Sequence, residues 1–338
     1  MVSIIMPVYQ VSDYVERCLQ SVMNQTYTEL ECIIVNDATK DDSIEKCERL
    51  INSYEGAIQF QIIHHEQNRG LSAARNTGTK AATGVFVYYI DSDDEIMPDC
   101  IEKLVRAALE HPEAEMVIGN VQFFWMGQKE RVTLDNDMPS LIQSNQQVVS
   151  LNHHQRITNG AWNKLTRKAF IDEHDLYFKE GIIIEDYLWT FYVMKYLSTV
   201  YIVKDITYHY YRRQGSIATS SDDQKFAKSY SIIYDEILRN LTPGREDKEL
   251  SRNLEGFCKR YLKYKAEFPV FTTLYDLYRK QSGRYGCWYV YVVLILVRGF
   301  SCIGNPLVIL EPLIVWRGKI KRWKRQFRHV LSRIIECG

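Results

Sequence analysis

At 338 residues the chain has room for two domains, or for one large domain with an extension, and for a sizeable buried core. A composition of 46% hydrophobic and 25% charged residues, with 17 Gly and 8 Pro, excludes long disorder, collagen-like repeats and low complexity. Basic and acidic side chains cancel at 42 each, so no global field draws the chain to nucleic acid. The balance is uneven: from Pro312 onward eight Lys or Arg face one acid, Glu336, so an acidic body carries a basic tail. The eight cysteines form no CxxC pair and no Cys/His cluster at zinc spacing, which fits reduced thiols in a cytoplasmic protein. Met1 to Tyr9 lacks the basic start and long apolar stretch of a signal peptide and reads as a strand.

Val2 to Val8 is the first strand, and Val11, Tyr14, Val15, Cys18, Leu19 and Val22 then recur on one helical face. Leu30 to Val35 is a second strand, Ile44 to Tyr54 a second helix and Phe60 to Ile63 a third strand. A helix around Ser72 to Ala82 ends near Gly84, Val85 to Ile90 is a buried strand, and Pro98 to Leu109 is a helix. Repeated β-α units with apolar strands predict a mostly parallel sheet covered on both faces, with ligands at the carboxyl ends of its strands. From Asn120 to about Ser221 the pattern is mixed and Tyr-rich, with strands near Val121 to Trp125 and Ile206 to Tyr211 and a helix from about Tyr187 to Tyr196. It reads as a second half-sheet. Helical patterns follow over Tyr230 to Leu241 and Leu250 to Lys265, and the apolar run Cys287 to Val297 is too short to span a membrane, which takes about 20 residues.

Each strand end of the first half carries polar groups: Pro7-Val8-Tyr9, Asn36-Asp37-Ala38-Thr39, Gln67-Asn68-Arg69-Gly70 and Asp91-Ser92-Asp93-Asp94. Singly, such residues make turns and cap helices. Four together at one sheet edge point to a site. A second Asp-x-Asp pair, Asp135 and Asp137, lies in a polar loop, so context and not spacing favours Asp91 and Asp93. Carboxylates fixed at a strand end can hold Mg²⁺ or Mn²⁺ and leave ligand positions for phosphate. No GxxxxGK[ST] loop is present and no GxGxxG follows the first strand, which excludes P-loop and dinucleotide fingerprints.

Val2-Ser-Ile-Ile-Met-Pro-Val-Tyr, Ile34-Val-Asn-Asp-Ala-Thr, Asn68-Arg-Gly-Leu-Ser-Ala-Ala-Arg-Asn and Asp91-Ser-Asp-Asp together resemble the N-terminal half of family 2 glycosyltransferases with the GT-A fold. The likeness is close over about residues 1 to 110, looser to about 216, and ends there. It implies an inverting, metal-dependent transfer from a nucleoside diphosphate sugar, most often UDP-linked. Pro7, Tyr9 and Asp37 would then hold the base, with Arg69 near it. Asp91 would touch the ribose beside Ser92, and Asp93 would bind the metal. Ala38-Thr39 stands where the family often has Gly-Ser.

The apolar strand Gly181-Ile-Ile-Ile leads into the pair Glu185-Asp186, which precedes an amphipathic helix, where an Asp also serves as a cap. The pair resembles the family's acceptor-side motif, which makes Asp186 the general base that inversion requires and Glu185 a wall of the acceptor site. Trp162-Asn163-Lys164-Leu165 and Tyr210 to Ser216 resemble family segments as well. Trp162 offers a face for a sugar ring or for the core. Arg212, Arg213 and Ser216 could close over the diphosphate, and His209 is a further candidate metal ligand.

In the tail, Trp316, Ile320, Trp323, Phe327, Val330 and Leu331 form an apolar stripe among Lys and Arg, the pattern of an interfacial helix on anionic lipid or of a helix docked on its own acidic body. The expectation is an α/β GT-A domain over 1–221, with a nucleotide-sugar half (1–119) and an acceptor half (120–221), then a helical, basic region (222–338). The expected enzyme uses Mn²⁺ or Mg²⁺ at the cytoplasmic membrane surface to extend a glycan or lipid-linked glycan. Its rivals are a nucleotidyltransferase and a catalytically silent sugar-nucleotide-binding subunit. The sequence leaves the oligomeric state open.

Overall fold

The computed structural model describes residues 1–125, 127–132, 134, 137–153, 156–212 and 223–240. Five strands and four helices occupy the first 110 residues: β1 (Val2–Val8), α1 (Val15–Met23), β2 (Leu30–Asn36), α2 (Ser43–Asn52), β3 (Gln59–His64), α3 (Leu71–Ala81), β4 (Phe86–Tyr89), β5 (Glu95–Ile96) and α4 (Cys100–Glu110). Then follow β6 (Met116–Trp125), β7 (Gln128–Val132), β8 (Leu141–Ile142), α5 (Asn145–His153), β9 (Lys164–Arg167), α6 (Lys168–Glu173), α7 (Glu185–Tyr196), β10 (Val200–Arg212) and α8 (Asp223–Arg239). The strands form one ten-stranded sheet in the order β3-β2-β1-β4-β9-β6-β10-β5, with β7 on β6 and β8 on β10. The chain divides into two units between Ser229 and Tyr230, inside α8.

The pairs β1–β2, β2–β3 and β1–β4 are parallel, as the apolar strands predict, and so is β6–β10. The two parallel groups are joined by β9, antiparallel to both β4 and β6. Sequence reading passes over β9 because Lys164-Leu165-Thr166-Arg167 is short and half charged, and its partners lie far along the chain. Alternation along β1 divides the core between the two faces of the sheet. Ile4 and Met6 pack with Leu19 and Val22 of α1, whereas Ile5 packs with Ile33 and Val35 of β2. A buried polar ladder crosses the second half: Asn163 Nδ2 donates to Asn120 O at 3.1 Å, and Thr207 Oγ1 donates to Asn163 Oδ1 at 2.8 Å. Gly119 makes this possible, since a Cβ there would fall 1.9 Å from Thr207 Oγ1.

The described cysteines Cys18, Cys32, Cys47 and Cys100 are unpaired and buried. No helix among the described residues is long and apolar enough to cross a membrane. The predicted helix at Leu250 to Lys265, the Cys287 to Val297 run and the basic stripe from Trp316 lie outside the described residues.

Candidate functional site

The carboxyl ends of β1 and β2 form the first part of the site. Pro7 pairs with Val35 in register, and Tyr9, just past β1, is 39% exposed. Asp37, just past β2, is buried, and its carboxylate accepts the N–H groups of Arg69 and Gly70 at 2.8 and 2.7 Å and lies 2.7 Å from His65 Nδ1. Asp37 therefore fixes the turn that starts α3, where Gly70 supplies the positive φ of 87°. The Arg69 guanidinium is half-exposed and reaches Glu180 Oε2 at 3.2 Å. Ala38 also sits at positive φ, 54°, the backbone geometry that explains why glycine suits this place. Thr39 secures the turn: its hydroxyl accepts Gln10 N–H and donates to Asp41.

Beyond β4, the four residues Asp91 to Asp94 alternate. Ser92 and Asp94 are buried, while Asp91 and Asp93 are partly exposed. Asp94 accepts the Tyr208 hydroxyl and the Tyr211 N–H, both at 2.8 Å, and burial together with Asp93 and Asp91 pushes its carboxyl well above the usual range. Arg17 of α1 donates to the Asp93 carbonyl at 2.8 Å, which anchors the loop from the other side. No group of three or more His, Cys, Asp or Glu among the described residues could hold a metal alone. Two hard oxygen donors at a strand end do fit Mg²⁺ or Mn²⁺, which commonly take one or two carboxylates and complete their shell with phosphate and water. His209 is not drawn into this pair. Its Nδ1 lies 3.8 Å from Glu95, and its ring packs edge-on against Phe124.

The acceptor side brings up its own carboxylates. The predicted strand over Gly181 to Ile184 is absent; these residues form a turn and a bend, and the helix begins at Glu185, two positions before the predicted start. Ile184 sits in the left-handed region at φ 57°, a costly conformation for a β-branched residue. It turns the chain so that Glu185 and Asp186 occupy the first turn of α7, where the helix dipole favours negative charge.

Arg75 joins the two sides. Its buried guanidinium donates to Asp91 Oδ1 at 2.8 Å, and to Glu185 Oε1 and Asp186 Oδ1 at 2.7 Å each. Burial holds the Asp186 carboxyl above its ordinary value. Burial and the neighbouring Asp186 push Glu185 up to about 7. In the sequence Arg75 is marked only by its place in the Asn68 to Asn76 string. Its signal is a lone charge on a helix of small residues, Ser72-Ala73-Ala74-Arg75-Asn76-Thr77-Gly78, all buried except Thr77, which is half-buried. Asp94, His65 and Tyr208 escape notice for a similar reason, since each acts on a neighbour in space.

Two further expectations meet different surroundings. Trp162 is 7% exposed, stacked on Tyr208 with ring centres 5.0 Å apart and tilted against Tyr210 at 5.3 Å, so it is a core ring. Arg212 lies 3.9 Å from Glu130 and over the Trp125 ring, while Arg213 and Ser216 fall outside the described residues.

Known proteins are similar to this chain in sequence and in fold. The model of the family described as "Glycosyl transferase family 2" matches residues 3–179. EpsH of Bacillus subtilis (strain 168) is 32% identical over 263 residues, covering 76% of this chain and 73% of that one. Glycosyltransferase GlyG of Streptococcus pneumoniae serotype 4 is 26% identical, covering 69% and 78%. The crystal structure of S. aureus TarS 1-349 in complex with UDP-GlcNAc superposes with a TM-score of 0.68 at 21% identity, covering 88% of this chain and 87% of that chain. The fold class is the GT-A α/β sheet that the family resemblance implied. With the family model over more than half its length and a relative matched across most of both chains, this chain belongs to glycosyl transferase family 2 and is a glycosyltransferase.

Proposed function

We propose that the enzyme transfers a sugar with inversion from a UDP-sugar to a hydroxyl of a glycan or lipid-linked glycan during surface polysaccharide synthesis. The observation that carries this reading is the Arg75 cluster, in which a strand-end carboxylate, Asp91, and a helix-start pair, Glu185 and Asp186, meet on one guanidinium. On the donor side, Pro7, Tyr9, Asp37 and Arg69 would receive the nucleoside, with Asp91 and Ser92 toward the ribose. Asp93, with Asp91 beside it, would hold Mg²⁺ or Mn²⁺, whose charge neutralises the diphosphate. The UDP-GlcNAc complex of TarS supports a UDP-linked donor.

Attack must come from the face opposite the leaving diphosphate, so the base belongs on the acceptor side. Asp186 would take the proton of the acceptor hydroxyl as its oxygen bonds to the anomeric carbon, and the sugar–phosphate bond breaks with its electrons leaving on UDP. Arg75 keeps Asp186 anchored while burial makes it more basic than an ordinary aspartate. A base of raised pKa loses activity as pH falls through that value, so the acid limb of the rate profile should lie above the usual aspartate range of about 4. The basic stripe from Trp316 would hold the enzyme at anionic membrane. Cosedimentation with anionic vesicles should then weaken with salt, whereas binding insensitive to salt would reject the electrostatic anchor.

The direct test is thermal stabilisation by a panel of nucleotide sugars with Mn²⁺. One UDP-sugar should raise the melting temperature in a metal-dependent way, and Asp93→Ala should abolish that rise. Metal-independent stabilisation, or its survival in Asp93→Ala, would reject the donor assignment.

A further inference from the structure

Lys164 lies in β9, inside the sheet between β4 and β6, and is 1% exposed. Its Nζ donates to the carbonyl of Gly160 and, at 3.3 Å, to the Thr158 hydroxyl, both neutral acceptors. No described residue forms an ion pair with it. Burying an ammonium without a counter-ion is costly, and strands seldom carry that cost for packing alone. Burial lowers this amine to about 8, which leaves it protonated at neutral pH.

The carboxylate whose charge acts on the amine is Asp186, which also accepts the N–H of Ala161. The segment from Thr158 to Ala161 therefore touches the lysine at one end and the carboxylate at the other. Thr190 of α7 ties the same segment down by donating to Asn159 O at 2.7 Å. The charges facing Asp186 come from four elements: Arg75 of α3, Asp91 past β4, Glu185 of its own helix, and Lys164 of β9. Without Lys164, one guanidinium stands against three carboxylates.

We infer that Lys164 is a positioning residue for the acceptor-side base: its buried ammonium holds the Thr158 to Ala161 segment against Asp186 and supplies the second positive charge of the carboxylate cluster. The role deepens the assignment of Asp186 as base and rests on it, but the contact itself can be measured without turnover. The amine is buried, with its hydrogen bonds spent on Thr158 and Gly160. It acts through the segment and the field it sets at Asp186.

The experiment is a double-mutant cycle on the full chain by urea unfolding, with wild type, Lys164→Met, Asp186→Asn and the double variant, at about pH 4.5 and about pH 7. At the lower pH the raised carboxyls lie closer to protonation, and the two substitutions should come nearer to adding. At the higher pH the ionised Asp186 feels the ammonium, and a coupling of about tenfold in the unfolding equilibrium constant should emerge, the equivalent of one pKa unit. Lys164→Gln, which can still donate to Gly160 O without charge, replaces Lys164→Met should the latter not fold, and should give the same coupling. Additivity at both pH values overturns the proposal. Transfer by Asp186→Asn separates the two claims. Coupling with transfer retained removes the base assignment and leaves the pairing, whereas additivity with transfer lost leaves the base and removes the positioning role.

Discussion

The two halves of the sheet deliver carboxylates to the same arginine by different routes. On the donor side Asp91 lies just past β4, a parallel neighbour of β1, and meets Arg75 from only 16 positions away in sequence. On the acceptor side Asp186 reaches Arg75 across 111 positions of sequence, from a helix whose start depends on a left-handed Ile184 and whose segment partner hangs on β9. A site half built from consecutive β-α units can be varied or read locally. A half built from distant contacts is held as one piece, so damage at a single residue should spread further there.

The strongest way to break this contrast is Arg75→Met. It removes the shared guanidinium and strands three carboxylates, so stability should fall by about 3 to 5 kcal/mol in urea unfolding, with donor stabilisation and transfer both reduced. Unchanged stability would mean the two sides stand independently. A smaller loss is expected on the acceptor side alone. Gly119→Ala drives a methyl into Thr207 and Asn163, at a cost of about 1 to 3 kcal/mol, and should impair transfer more than donor binding. On the donor side the corresponding change has the opposite sign. Ala38→Gly relieves a positive φ and should stabilise by about 1 kcal/mol or less, with donor binding intact. Destabilisation by Ala38→Gly would show that this turn is held by its Cβ contacts and not merely tolerated.

What sequence reading recovered follows the same division. The first four strands, α1 with its buried Val15, Cys18, Leu19 and Val22, and the polar groups at the strand ends were legible because each is marked by periodicity or by position within a few residues. Trp162 illustrates the limit: an aromatic in a family-like string could equally face a sugar or the core, and only the stacked Tyr208 and the tilted Tyr210 decide for the core. His209 stands beside a strand end in the sequence, and only the fold brings Glu95 and Phe124 against its ring. Arg75 and Lys164 were invisible as partners because burial of a charge is a property of the assembled fold, and no spacing announces it. The strand expected before Asp186 failed for a related reason, since three isoleucines in a row suggest β structure but Gly181 and the left-handed Ile184 turn them into a bend.

The division of labour between the two sides is tested most directly by Asp186→Asn, which keeps the shape of the side chain while removing its capacity to take a proton. Turnover and donor affinity are measured on the same preparation, with the sugar nucleotide that stabilises the wild type. The account predicts turnover lower by about 10² to 10⁴, the usual contribution of a general base, with metal-dependent donor binding and melting temperature close to wild type. Near-normal turnover, or loss of donor binding of the kind expected for Asp93→Ala, would contradict it.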